Sequence, residues 1–151
     1  SFLIASTVNV IIAQRLVRRL CVECRKPYKL DTKEVDSLEK LYNMDDVLLV
    51  LKKNPMAKKF VEKAEKWEDI ELYKAGGCEQ CNNEGYRGRV GVYEVLEMDT
   101  DIRKLVTQSA TSEELERQAR KNGMETMVED GFIKIVQGMT TIEEVMRATK
   151  E

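Results

Sequence analysis

Four cysteines are the residues best equipped for chemistry in this chain. They form two Cys-x2-Cys pairs, Cys21–Cys24 and Cys78–Cys81, separated by 53 residues. Two residues between cysteines let both sulfurs face one point while backbone N–H groups turn toward them. Two such turns complete a tetrahedron of thiolates around a structural zinc ion. Gly76 and Gly77 before the second pair, and Gly85 after it, supply loose backbone, and Pro27 closes the first turn. A zinc ion with four thiolates carries two formal negative charges, which Arg18, Arg19, Arg25, Lys26, Arg87 and Arg89, near in sequence, can offset. The competing readings are two disulfides, a redox dithiol, and iron in a rubredoxin-like site. A closed four-thiolate site has no open position for water, so its role is structural rather than catalytic.

The chain has no histidine, which excludes His-based acid–base chemistry, Ser-His triads and Cys2His2 sites. Gly85, Gly88 and Gly91 follow a G-x2-G-x2-G spacing with no helix directly after it. They read as tight turns and close strand approach rather than a phosphate cradle. Net charge is −2 over 151 residues, so nothing points to nucleic acid as a general partner. The apolar stretch Phe2–Ala13 is interrupted by Ser6, Thr7 and Asn9 and is too short to span a bilayer. It lacks a basic leader, because Arg15, Arg18 and Arg19 follow it, so the expectation is a cytoplasmic protein with no direct membrane insertion. The chain opens on an apolar run, as a segment cut from a larger protein would, with Ser1 as a cap or a remnant.

These cysteines need elements to position them. Residues 2–20 read as one buried helix with Arg15 and Arg19 on one face near its C-terminus, where they would compensate the dipole or meet an anionic partner. An insertion over 32–68 leaves the site and returns. Asp31 or Thr32 caps a helix with Val35, Leu38, Leu41 and Tyr42 at helical spacing. Asn54-Pro55 starts another, with Met56, Phe60, Val61 and Ala64 on its inner face. Val47–Leu51 is ambiguous, and the outer lysines and glutamates read as solvated. Residues 70–75 and 88–96 read as strands paired antiparallel, with the second cysteine turn at their end. After Asp99 come helices capped by Asp99, by Thr111 with Glu114, and by Thr141 with Glu144. They bury Ile102, Leu105 and Val106; then Met124, Met127, Val128, Phe132, Ile135 and Val136; then Ile142, Val145 and Met146. The fold class is α+β: mostly helical, with a short antiparallel β-pair and a tetracysteine zinc subdomain.

The stretches FLIASTVNVIIAQRLVRRLC, GCEQCNNEGYRGRVGVYEVLEM, DIRKLV and GMETMVEDGFIKIVQGMTTIEEV resemble the C-terminal portion of the type II secretion and type IV pilus assembly ATPases, the GspE/PilB/PulE group. The resemblance covers nearly the whole chain outside the insertion. It implies a fragment of a RecA-like ATPase C-terminal domain whose four-cysteine zinc subdomain maps onto Cys21, Cys24, Cys78 and Cys81. It implies a division into 1–20 (end of the ATPase core), 21–87 (zinc subdomain), 88–98 (a strand returning to the core) and 99–151 (a C-terminal helical subdomain). It further implies a cytoplasmic homohexamer that turns ATP hydrolysis into movement at an inner-membrane platform protein. No G-x4-G-K-[ST] loop is present, so the ATP and Mg2+ sites would belong to another part of the parent, no catalytic residue carries over, and this chain alone should be inactive. The alternative is a free-standing zinc-dependent adaptor that binds protein or RNA.

Overall fold

The structure, a computed structural model, describes residues 2–150; Ser1, a candidate cap, lies outside them. It is α+β. In chain order the elements are α1 (Phe2–Thr7), β1 (Val10–Leu20), β2 (Lys26–Tyr28), α2 (Thr32–Glu39), α3 (Met44–Lys53), α4 (Lys58–Val61), β3 (Leu72–Lys74), β4 (Tyr86–Glu97), α5 (Thr100–Thr107), α6 (Ser112–Lys121), α7 (Met127–Val136) and α8 (Ile142–Thr149). Short 3-10 turns occupy Trp67–Asp69 and Glu79–Cys81. No helix among the described residues is long and apolar enough to cross a membrane.

The buried helix expected over 2–20 is not there. Only Phe2–Thr7 is helical, and Val10–Leu20 is a strand beside β4. The run Val8-Asn9-Val10-Ile11-Ile12 is rich in β-branched residues, which lose side-chain freedom in a helix and fit a pleated surface. Most of its apolar side chains are not buried either: Phe2, Leu3, Ile4, Val10, Ile11, Ile12 and Leu16 are exposed, while Ala5, Val17 and Leu20 are buried. With no helix at Arg15 and Arg19, there is no dipole for them to compensate. The expected pairing of 70–75 with 88–96 is also replaced. Leu72–Lys74 pairs antiparallel with Lys26–Tyr28, in the register Lys26–Lys74, Pro27–Tyr73 and Tyr28–Leu72.

The chain divides into two compact units: residues 1–14 with 93–127, and 15–92 with 128–151. The helices after 99 are therefore shared out, α5 and α6 to the first and α7 and α8 to the second. In the first unit Asp99 caps α5 through the N–H groups of Asp101 and Ile102, and Thr111 and Glu114 close a reciprocal box at the start of α6. Ile102, Met98 and Ala119 are buried there.

In the second unit Asp31 and Glu34 close a capping box on α2, and Asn43 caps α3, which settles Val47–Leu51 as helix. The helix expected after Asn54-Pro55 shortens to one turn, and Met56 and Phe60 face out while Ala57, Val61 and Ala64 are buried. The insertion builds a core of its own with α7 and α8. Its Val35, Leu38, Val47, Leu51, Val61 and Trp67 pack in one cluster with Phe132, Ile135 and Val145 of α7 and α8. The Phe132 ring meets Trp67 and Tyr42 edge-on at 5.3 and 5.9 Å, and the Trp67 indole N–H donates to the Met44 carbonyl at 2.9 Å.

Candidate metal centre

Each cysteine pair sits in a backbone turn. In the first, the N–H groups of Cys24 and Arg25 donate to the Cys21 carbonyl. In the second, those of Cys81 and Asn83 donate to the Cys78 carbonyl, and Asn82 and Asn83 both adopt left-handed backbone, φ 52° and 61°. Asparagine is among the few non-glycine residues that enter this region readily. That role of the Asn-Asn pair is not visible from cysteine spacing. Gly85 joins the turns: its carbonyl accepts from the Cys21 N–H at 3.0 Å, and its own N–H donates to the Cys81 sulfur at 3.2 Å. Its φ of +76° requires glycine, and a Cβ at Gly76 would lie 2.0 Å from the Cys24 carbonyl oxygen.

These turns bring all four sulfurs within 4.8 Å of one another. Sγ–Sγ separations are 3.8 Å for Cys21–Cys78 and 3.7 Å for both Cys24–Cys81 and Cys78–Cys81, and all four cysteines are free thiols. A tetrahedron of sulfurs about 2.3 Å from a central ion has edges of about 3.8 Å. The donor set therefore fits a soft, tetrahedral cation. Burial, then hydrogen bonds to the neighbouring thiols, push the Cys24 thiol up to about 12, and burial raises Cys78 as well. Burial also acts upward on Cys81, but hydrogen bonds with the backbone at Cys78 and Gly85 and with the neighbouring sulfurs together bring it down to about 6. A cluster this crowded resists carrying several thiolates without a cation among them.

Arg18 and Arg25, expected to offset thiolate charge, have other partners. Arg25 donates to the Gly138 carbonyl and lies over the Tyr73 ring, 4.4 Å from its centre. Arg18 stacks on Tyr86 at 4.1 Å and grips the buried Glu144: its backbone N–H donates to Oε2 at 2.7 Å, and Nε and Nη2 donate to Oε1 at 3.0 and 2.9 Å. Arg147 reaches the same carboxylate at 3.0 Å. Glu144 thus does not reciprocate the Thr141 cap as expected; Thr141 accepts its N–H, while its carboxylate serves the arginines. Burial acts to raise the Glu144 carboxyl, but the arginines outweigh it and bring it down to about 2. The turn between α7 and α8 is held further by Leu20 N–H donating to Met139 O at 2.9 Å and by the Thr140 hydroxyl donating to Arg18 O at 2.8 Å. The first cysteine turn and the α7–α8 turn are consequently one stitched assembly. Gly88 and Gly91 lie within β4, away from any helix start.

Comparison with known proteins agrees with the motifs around these cysteines. Residues 1–147 match the Type II/IV secretion system protein family. The Type II secretion system ATPase E of Vibrio cholerae is 36% identical over 99% of the chain and 25% of its own length. The Type II secretion system protein E of Pseudomonas aeruginosa is 35% identical over the same shares. The Type IV pilus assembly ATPase PilB of that organism is 34% identical over the whole chain and 23% of its own length. The chain spans about a quarter of the length of these curated relatives. On a match that runs through both cysteine turns and into α8, this chain belongs to the Type II/IV secretion system protein family.

Proposed function

We propose that this chain is the zinc-binding C-terminal part of a cytoplasmic, hexameric secretion or pilus-assembly ATPase, which couples ATP hydrolysis to protein export or pilus polymerisation at an inner-membrane platform protein. The observation that carries the reading is the convergence of Cys21, Cys24, Cys78 and Cys81 at tetrahedral spacing in a chain of this family. Zinc bound there would be structural, supplying positive charge that holds four thiolates together. The chain's own residues do the rest. Gly85 ties the two turns, and Arg18 and Arg25 fasten the first turn to α7 and α8, so a push on one reaches the other as one body. In this reading ATP and Mg2+ bind in a RecA-like core outside this chain, and the exposed Phe2, Ile4, Val10, Ile11 and Ile12 pack against it.

Elemental analysis of the purified chain tests the metal assignment: about one zinc per chain is expected, with iron below stoichiometry and no ATPase turnover. Substoichiometric metal under reducing conditions would remove the zinc assignment, and turnover by the pure chain would overturn the division of labour.

A further inference from the structure

Between α2 and the first turns of α8, within the second unit, lies a groove of about 390 Å3. Its apolar wall is Tyr28, Leu30, Leu38, Ile142 and Met146, which belong to the core of that unit or pack against it. Leu41 also lines it and is 60% exposed. Helical spacing marks Leu41 as a core residue like Leu38, yet α2 ends at Glu39. The N–H groups of Leu41 and Tyr42 both donate to the Leu38 carbonyl, at 3.0 and 2.9 Å, and the Tyr42 ring is held against Phe132. A fixed turn therefore presents Leu41 to solvent. Three carboxylates and one ammonium line the same groove: Asp31, Glu34, Glu143 and Lys33. Asp31 and Glu34 each commit one oxygen to the capping box, Oδ1 accepting from the Glu34 N–H and Oε2 from the Asp31 N–H. Their other oxygens, and both of Glu143, have no hydrogen bond or ion pair among the described residues. The Tyr28 phenol registers this charge: burial, then Glu143 and Glu34, push it up to about 12. The Lys74 ammonium lies 5.9 Å from the centre of the Tyr28 ring but does not line the groove.

We infer that this groove docks a basic amphipathic helix of a partner protein, with leucine-type side chains seated against Tyr28, Leu38, Leu41 and Met146 and flanking arginine or lysine paired with Glu143, Glu34 and Asp31. The groove is too small for a whole helix, about 10–12 Å across, so only one face of the partner enters. Grooves of this kind read such a face through anchors three and four residues apart. The eight residues of α2 span about 12 Å, which matches two turns of a partner helix. Charge decides the sign of the occupant. Carboxylates without partners beside an apolar wall attract a cation strongly and repel an acidic segment. Arginine can meet one of them through two parallel hydrogen bonds. The contact is independent of the metal and motor readings, because it uses no cysteine, no nucleotide and no other domain.

The test is fluorescence anisotropy of a labelled synthetic peptide titrated with the full chain. The peptide is about five helical turns of leucine and arginine at amphipathic spacing. One comparator replaces every arginine by glutamate, and another scrambles the order and so breaks the apolar face. Saturable binding is expected for the basic amphipathic peptide, and much weaker binding for both comparators. Leu41→Ser should weaken it about tenfold, the loss of one buried leucine side chain, while Leu41→Met should retain it. Glu143→Gln should weaken it about threefold and flatten its salt dependence. Both positions are exposed, and an unchanged far-ultraviolet circular dichroism spectrum controls for misfolding. Amide exchange should slow over residues 31–41 and 142–146 when the peptide binds. Absence of saturable binding, equal binding of either comparator, or indifference to either substitution would overturn the proposal. Self-association that Leu41→Ser abolishes, without peptide binding, would overturn it in favour of a second copy of this chain.

Discussion

Among the described residues, the unit that carries the cysteines has a cluster of nineteen buried hydrophobic side chains, and the other has a cluster of three, Met98, Ile102 and Ala119. The disparity is larger than their difference in length. The smaller unit relies instead on polar stitches. Asp99 caps α5 and accepts from the Asn122 amide at 2.6 Å; Arg103 donates to the Ala5 carbonyl and to Asn9; the Met127 N–H donates to Glu94. It also leaves Phe2, Leu3, Ile4 and Val10–Ile12 exposed. Packing and a thiol cluster hold one unit, and caps and hydrogen bonds hold the other. Apolar burial is the dominant favourable term in folding, while caps and single hydrogen bonds each contribute little. The two units should therefore respond to different perturbations.

The largest expected effect is that of Cys78→Ser. It removes one thiolate from the tetrahedron and should abolish stoichiometric metal. The spread of damage sharpens the comparison. Cysteine spacing alone predicts loosening over 21–28 and 70–90 with the helices after 99 spared. The contacts of Arg18, Leu20 and Arg25 extend it to the α7–α8 turn, residues 137–141. Amide exchange should rise in those three segments and stay unchanged in α5 and α6. Equal acceleration in α5 and α6 would erase the distinction between the units.

That revision marks where sequence stops being informative. The cysteine convergence was legible because two-residue spacing is a local signal of four ligands. The caps at Asp31, Asp99, Thr111 and Thr141 were legible for the same reason: each is settled within three or four residues. Strand β1 was not, because its partner β4 is remote in sequence and its apolar run also suits a helix. The pairing of β3 with β2 rather than β4 depends on how the insertion returns, which no local pattern records. Glu144 looked like half of a capping box; its true partner, Arg18, is 126 residues away.

The Arg18–Glu144 contact gives the next largest effect. Glu144→Gln removes a buried carboxylate held by two arginines and should cost about 1.5–3 kcal/mol near neutral pH. The low end applies because the Arg18 and Arg147 side chains stay 54% and 60% exposed. The sign with pH follows from the depressed carboxyl, about 2 in the fold against 4.5 ordinarily. Its stabilisation is complete above about 4.5 and is lost as pH falls toward about 2. Acid also protonates thiolates in both proteins, so the readout is the difference between them in urea titrations. That difference should shrink from pH 5 downward. A gap that held constant into acid would mean that Glu144 contributes shape rather than charge.

The smallest effect probes the other unit. Thr111 accepts from the Glu114 N–H at 3.3 Å, while the Glu114 carboxylate accepts from the Thr111 N–H at 2.9 Å. Thr111→Ala removes one side of this exchange and should cost about 1 kcal/mol, with Thr111→Ser restoring most of it. The same loss matters more in a unit whose buried cluster has three hydrophobic residues than in one whose cluster has nineteen. Exchange should therefore quicken across α6 and into α5, whose Asp99 cap is tied to Asn122 just beyond the end of α6, and should leave the cysteine turns untouched. If the quickening stopped within the first turn of α6, the small unit would not depend on its caps, and the contrast in how the two units are held would narrow to the thiol cluster alone.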